Sequence, residues 1–365
     1  MRKSFHILDG LKIGGIENLA FTLASAEKKL NSEHYLINLN INLNEYSDNF
    51  FFRNKYSNLK IISFKKKRGL SLLFFIFKFL KKEKPSNLII YFNNITTLWV
   101  MIGAKLSATN NIAICIQNTV SKLSIKSLKS IFLMRIFNLF QAKLVPCSKA
   151  IVDSYWEIDK NIKFADVIPN CINVKYFKDE LNKLKNKSQI KSKNKKTIVM
   201  IARLDEIKDQ ETLIKAYSKI KNNCNLYLIG SGKKRLYLEQ KAHKVGLDPS
   251  NIFLGPRLNI PEILASADIF AFSTSSSEGF GIALIEAMAA ELPIIASDVP
   301  ACREVLNNGK AGIMVPVKDV NTWIKVLNQM LESKELRDFY RSQSIVNLRN
   351  YDVDLVINNW ENLFG

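Results

Sequence analysis

The 365-residue sequence is poor in cysteine, histidine and acid, and it has no long unbroken apolar run. Its five cysteines, Cys115, Cys147, Cys171, Cys224 and Cys302, lie far apart, which argues for reduced thiols rather than a disulfide framework or a zinc site. His6, His34 and His243 are equally dispersed, so no metal constellation is expected. The most apolar segment, "LSLLFFIFKFL" from Leu70 to Leu80, falls short of the roughly 20 residues that a membrane-spanning helix needs. The opening "MRKSFHILDGL" starts basic, but Asp9 and Gly10 break its apolar run, so export is not expected. The expectation is a cytoplasmic protein, with the inner face of the cell membrane a candidate resting place.

Lysine and arginine are plentiful: 53 against 33 acids, a formal charge of +20. Eleven basic residues between Arg53 and Lys84 face Glu83 alone, and nine lysines from Val174 to Lys196 face Asp179 and Glu180. Such a surface suits nucleic acid, an anionic membrane, or only solubility. An AT-rich genome would also raise lysine, asparagine and isoleucine together. No basic motif interleaved with aromatics is present, so nucleic acid is not expected as a partner. Lys122, Lys126 and Lys129 share one helical face, and the Leu70–Leu80 helix ends in Lys81 and Lys82. Basic amphipathic helices of this kind can lie on an anionic membrane surface. The plainer reading packs their apolar faces on a sheet and leaves the lysines in water.

A chain of this length predicts two domains. Strand-like "SFHIL", "HYLINLN", "LKIIS", "SNLIIYF", "NIAICI", "AKLVPC" and "FADVIP" alternate with helical periodicity in the first half. A lysine- and asparagine-rich run follows and reads as a linker. The second half repeats the alternation through "TIVMIA", "NLYLIG", "NIFLG", "DIFAFS" and "PIIAS". The reading is α/β, with a doubly wound parallel sheet in each of two Rossmann-like domains. The boundaries are 1–172 for the first domain, 173–196 for the linker and 197–345 for the second domain. A helix at 346–365, with Leu355, Trp360 and Leu363 for packing, turns back toward the first domain.

Ligands bind such sheets at the strand ends that run into helices. Gly14 and Gly15 occupy the first such turn, where backbone N–H groups could approach a phosphate, although a plain tight turn explains them equally. In "MIARLDEIKDQETLIKA" a strand ends at Arg203 with Lys208 five residues on, a fork and a point charge suited to a diphosphate. In "STSSSEGFGIALIEAM" Glu278 lies in the loop and Glu286 two turns into the following helix, with the amides around Gly279, Phe280 and Gly281 at the helix start. On a helix face among Ala283, Leu284 and Ala287 an unpaired Glu286 carboxylate would be costly to bury, and a ribose diol is one candidate partner. Two turns of helix between the carboxylates make a hydrolytic acid pair awkward.

These segments, with "LIGSGKKR", "AGIMVP" and, more loosely, "GGIENLA" and "VIPNCINVKYF", resemble the retaining glycosyltransferases of family 4, of the type that builds bacterial surface polysaccharides. The resemblance implies the GT-B fold, with two Rossmann-like domains facing across a cleft. It implies transfer of a sugar from a nucleotide-diphosphate donor, a UDP-sugar favoured, to a glycan or lipid-linked acceptor, without metal or other cofactor. Arg203 and Lys208 would then hold the diphosphate, Glu278 the donor sugar and Glu286 the ribose. Backbone amides from Phe280 through Ile282 to Ala283 would touch phosphate and sugar, Gly14 and Gly15 would cover the donor, and Arg257 would lie near the base.

Where the family commonly carries a histidine near the transferred sugar, this chain has Gln117 and Asn118. Either amide can bind a hydroxyl, but neither accepts a proton as histidine does. Cys171 and Asn173 also replace the usual glycine and aspartate. An inactive glycosyltransferase-like binding protein, or another GT-B enzyme such as an epimerase or phosphorylase, is the alternative. "DVD" at Asp352 to Asp354 reads as a helix start rather than a metal site.

Overall fold

The computed structural model describes residues 2–11, 14–26, 32–40, 59–65, 67–121, 124–184 and 195–365. The chain divides into two units, one of Met1–Cys171 with Val353–Gly365, the other of Ile172–Asp352.

In the first unit, β1 (Arg2–Leu8), β2 (Ser32–Asn38), β3 (Lys60–Ser63), β4 (Asn87–Ile90), β5 (Asn111–Ile116) and β6 (Lys143–Pro146) form a parallel sheet ordered β3-β2-β1-β4-β5-β6. Its central strands bury nearly every side chain, as strands covered on both faces must. The connecting helices are α1 (Gly15–Ala26), α2 (Gly69–Glu83), α3 (Ile95–Leu106), α4 (Ile125–Leu139) and α5 (Lys149–Trp156). Asn94 and Ser124 cap α3 and α4 with side-chain oxygens, which fixes where those helices begin.

The second unit starts with α6 (Val174–Leu184), which lies inside the stretch read as linker. Asn173 accepts from Tyr176 N at 2.9 Å to start it, and Phe177 and Leu181, four residues apart among lysines, are its buried contacts. Residues 185–194 of the lysine run lie outside the described residues. Six parallel strands follow: β7 (Lys196–Ile201), β8 (Cys224–Ile229), β9 (Phe253–Gly255), β10 (Ile269–Phe272), β11 (Ile294–Ser297) and β12 (Ile313–Val315). Their order, β12-β11-β10-β7-β8-β9, repeats that of the first sheet. The helices between and after them are α7 (Gln210–Ile220), α8 (Arg235–Lys244), α9 (Ile260–Ala265), α10 (Ile282–Ala289), α11 (Pro300–Val305), α12 (Val320–Glu332) and α13 (Lys334–Leu348). The core gathers on Trp323 and Leu327 from α12, packed against Ile198, Leu226 and Leu213.

The last helix, α14 (Val353–Phe364), belongs to the first unit and contacts α1. Trp360 is buried there and Leu363 packs against the same core. Leu355, expected to pack, is exposed instead, because the buried stripe runs through Val353, Val356, Ile357 and Trp360. A second correction concerns "FADVIP", which is not a strand. Only Ala165 N to Leu144 O and Ile168 N to Pro146 O tie it to β6, and Pro169 has no N–H to extend the ladder. The Asp352–Asp354 triplet brackets the start of α14, with Asp354 in its first turn.

Candidate active site

In a sheet of this order the two central connections run to opposite faces, and the carboxyl ends of the strands on either side of that switch form a natural ligand site. In the second unit the switch lies between β7 and β10, which pair directly. The loop after β7 carries Arg203 and Lys208, and the loop after β10 carries Glu278. Sheet order alone therefore gathers residues that are 70 positions apart.

The two loops are stitched together. Lys208 and Thr274 form an antiparallel bridge, Asp209 N donates to Ser273 O at 3.1 Å, and Ser275 N donates to Ile207 O at 2.9 Å. Asp209 then caps α7. Held this way, the Lys208 ammonium sits 4.5 Å from the centre of the Phe272 ring and forms an ion pair with Glu278. Both side chains of the pair are about a tenth exposed, 10% and 9%. Thr274 Oγ1 donates to Glu278 Oε2 at 3.0 Å. Burial pushes the Glu278 carboxyl upward, but the Lys208 charge, hydrogen bonds from Lys208 and Thr274, and the Phe280 backbone together hold it below its ordinary value. The Cys302 thiol close by is pushed well up, by burial first and then by the Glu278 charge. All five cysteines are buried and none is in a disulfide.

Glu278 leads into the turn that begins α10. Gly281 is the N-cap of that helix with φ 89° and ψ 65°, a left-handed conformation that favours glycine. A Cβ there would meet Leu284 Cδ1 and Phe272 Cε1, each at 3.1 Å. No side chain caps this helix, so its first amides stay available to an external acceptor. Phe280 contributes only backbone to that site: its ring is buried edge-on against Tyr351, with centroids 5.7 Å apart. Ile282, Ala283 and Glu286 share the half-buried side of α10, while Leu284, Ile285 and Ala287 are buried.

Arg203 does not join the buried pair. Its side chain is 66% exposed and meets Asp205 at 3.1 Å, a partner the sequence reading overlooked. Also overlooked were Thr274, and Gln210, whose buried amide donates to Arg203 O at 2.8 Å. The loop after β8 supports the same turn from below. A Cβ on Gly230, at φ 140°, would fall 2.0 Å from Ala202 O, so the two backbones touch only because glycine is there. The signal for this was present in "LIGSGKKR". Arg257 is exposed just past β9.

The remaining candidates belong to the first unit. Gly14 and Gly15 stand at the start of α1, where the Glu17 carboxylate folds over Gly14 and answers the helix N-terminus. Gln117 and Asn118 follow β5. The Gln117 amide is committed in both directions: its Nε2 donates to Asn170 Oδ1 at 3.0 Å and its Oε1 accepts from Asn170 Nδ2 at 2.8 Å. Asn118 is exposed beside it.

Comparison with known proteins places these positions beside known enzymes. Residues 182–345 match the family model "Glycosyl transferases group 1". Among curated relatives, N-acetyl-alpha-D-glucosaminyl L-malate synthase of Bacillus anthracis is 28% identical over 204 residues, 55% of this chain and 53% of that one. The chain thus spans about half the length of this relative. The amylovoran biosynthesis glycosyltransferase AmsD of Erwinia amylovora is 24% identical over the full length of both chains. Among solved structures, Anabaena Alr3699/HepE in complex with UDP and glucose superposes with a TM-score of 0.84 at 16% identity, covering 99% of each chain. The fold shared with that structure is the α/β GT-B class expected from the sequence.

Proposed function

We propose that this chain is a retaining, metal-independent glycosyltransferase that moves a sugar from a nucleotide-diphosphate sugar, a UDP-sugar foremost, to an acceptor hydroxyl in assembly of a bacterial cell-surface glycan. The observation that carries the reading is the buried Lys208–Glu278 pair beside the uncapped start of α10, at the β7/β10 switch point. The family match, the relative engaged in amylovoran biosynthesis, and the UDP and glucose bound to a protein of the same fold support it.

In this reading the diphosphate rests on the amides at Gly281 to Ala283, with Lys208 and the exposed Arg203 neutralising it as the sugar leaves. The bond between the anomeric carbon and the diphosphate oxygen breaks with its electron pair on oxygen. The acceptor hydroxyl bonds to the same face of that carbon and passes its proton to the leaving oxygen. Glu278 accepts from sugar hydroxyls, Glu286 from the ribose, and Arg257 lies toward the base. The Gln117 amide is tied to Asn170, which leaves Asn118 the freer of the two to bind a hydroxyl. The acceptor is a glycan or a lipid-linked glycan, met at the inner face of the cell membrane.

The test is incubation of the full chain with nucleotide sugars and a bacterial glycolipid fraction, with and without EDTA. The reading predicts nucleoside diphosphate release unaffected by EDTA, a product with the donor's anomeric configuration, and turnover reduced at least a hundredfold in Glu278→Ala. Inversion, EDTA sensitivity or an active Glu278→Ala each contradicts it.

A further inference from the structure

From residue 49 to residue 152 the sequence places eighteen lysines and arginines against the single acid Glu83. Glu83 itself is taken up by Lys3 at 3.4 Å. Within this stretch, α2, α3 and α4 form neighbouring layers, α2 against α3 and α3 against α4. They are not covered as amphipathic helices of a closed unit should be. On α4 the buried side is Ser127, Ile131, Met134 and Phe137, yet Ile125, Leu128 and Phe132 are 74%, 63% and 65% exposed and fall on one opposite stripe that continues to Leu139. On α2 the exposed stripe begins with Leu70 and Phe74 and continues into Lys78, Lys81 and Lys82. Ile95 opens α3 equally bare.

Nearly all of these apolar side chains occupy helix N-terminal halves. In a parallel sheet each connecting helix begins at the carboxyl edge of the strands, so they collect along the edge that also carries Gln117 and Asn118. The charge beside them is of one sign. Lys126 and Lys129 flank the α4 stripe, and Lys65, Lys67 and Arg68 precede α2; all five are exposed. Arg135 is answered by Asp159. Lys122 lies outside the described residues.

We propose that this outer face of α2, α3 and α4 is a docking surface for an anionic phospholipid bilayer. A bilayer interface rewards both halves of the pattern, taking leucine, isoleucine and phenylalanine into the acyl boundary while lysines meet lipid phosphates. Nucleic acid would reward only the lysines, because aliphatic side chains offer bases no stacking surface. Docking in this way presents the carboxyl edge of the first sheet to the lipid headgroups. The inference deepens the proposed function, for it says where a lipid-borne acceptor would be met.

Flotation of the full chain tests it. Phosphatidylcholine vesicles with about a third phosphatidylglycerol should bind about tenfold or more tighter than phosphatidylcholine alone, and high salt should weaken the binding. Leu128→Glu with Phe132→Glu, and separately Lys126→Glu with Lys129→Glu, should each weaken it about tenfold or more with an unchanged melting temperature, because all four positions are exposed. Equal binding to neutral vesicles, undiminished binding by both variants, or salt-sensitive RNA binding without vesicle binding overturns the proposal. So does a dimer, seen by sedimentation, that Leu128→Glu with Phe132→Glu dissolves. Vesicle binding without nucleotide-sugar turnover would remove the proposed function and keep this surface; turnover without vesicle binding would do the reverse.

Discussion

Lys208 and Glu278, 70 residues apart in sequence, satisfy one another as a buried ion pair between the loops that follow β7 and β10. In the proposed reading the lysine meets the donor's phosphate and the glutamate its sugar, so in the free protein each stands in for the other's ligand, and an entering donor would replace a charged contact with contacts of its own.

Breaking the pair from one side strands a buried charge. Lys208→Met should destabilise the second unit by about 3–5 kcal/mol, and Lys208→Met combined with Glu278→Gln should cost clearly less. Urea denaturation of Lys208→Met, Glu278→Gln and the double variant measures the coupling. Strict additivity would contradict the buried contact.

The pair also sets a pH dependence. Glu278 titrates below its ordinary 4.5 in the folded chain, so its contribution to stability is complete above the ordinary range and is lost as pH falls through the lower folded value. The stability difference between wild type and Glu278→Gln should be flat from neutral pH to about 5 and shrink in more acid solution. Urea midpoints across that range provide the check. A difference that shrinks on going alkaline would carry the wrong sign.

How much of this was legible in the sequence depends on distance along the chain. Arg203, Lys208 and Glu278 could be singled out because each sits in the loop after a strand whose flanking periodicity is clear, and Glu286 because it interrupts the apolar run of the helix that follows. Their contacts could not, because the approach of Lys208 to Glu278 follows from β10 lying beside β7, a non-local pairing that no local pattern encodes. The same reason hid the Lys208–Thr274 bridge and the Gln117–Asn170 amide pair. The bonds from Thr274 to Glu278 and from Gln210 to Arg203 are local, but they lie in loops that carry no periodicity. Local errors had local causes. "FADVIP" has strand composition but meets an edge with only two backbone bonds, and the phase of α14 puts Leu355 outside. The lysines of α6 masked the Phe177 and Leu181 spacing that makes it a helix.

Gly230 offers a test of the scaffold beneath Arg203. Gly230→Ala places a methyl 2.0 Å from Ala202 O at a φ that side chains rarely adopt, so the two loops must part. The expected cost is about 1–3 kcal/mol, with a raised KM for donor because the turn bearing Arg203 shifts. A melting curve and donor kinetics read the two effects separately.

Gln117 should behave as a structural residue first. Asn170 is 2% exposed, so Gln117→Ala leaves a buried amide unanswered and should cost about 1–3 kcal/mol of stability. Nucleotide affinity should be unchanged, since the groups proposed to hold the diphosphate and ribose, Arg203, Lys208 and Glu286, belong to the other unit. Calorimetric titration with a nucleoside diphosphate distinguishes this from a direct role in donor binding.

The account rests on nucleotide-diphosphate recognition at the β7/β10 switch point, and a thermal-shift titration of wild type and Glu286→Ala with nucleoside diphosphates and nucleotide sugars tests it most directly. At a hundredfold excess over Kd a ligand of the folded state adds about 2.7 kcal/mol, so UDP or a UDP-sugar should raise the wild-type melting temperature by several degrees, and the shift should shrink in Glu286→Ala. No shift with any nucleotide, or an equal shift in the variant, would contradict it.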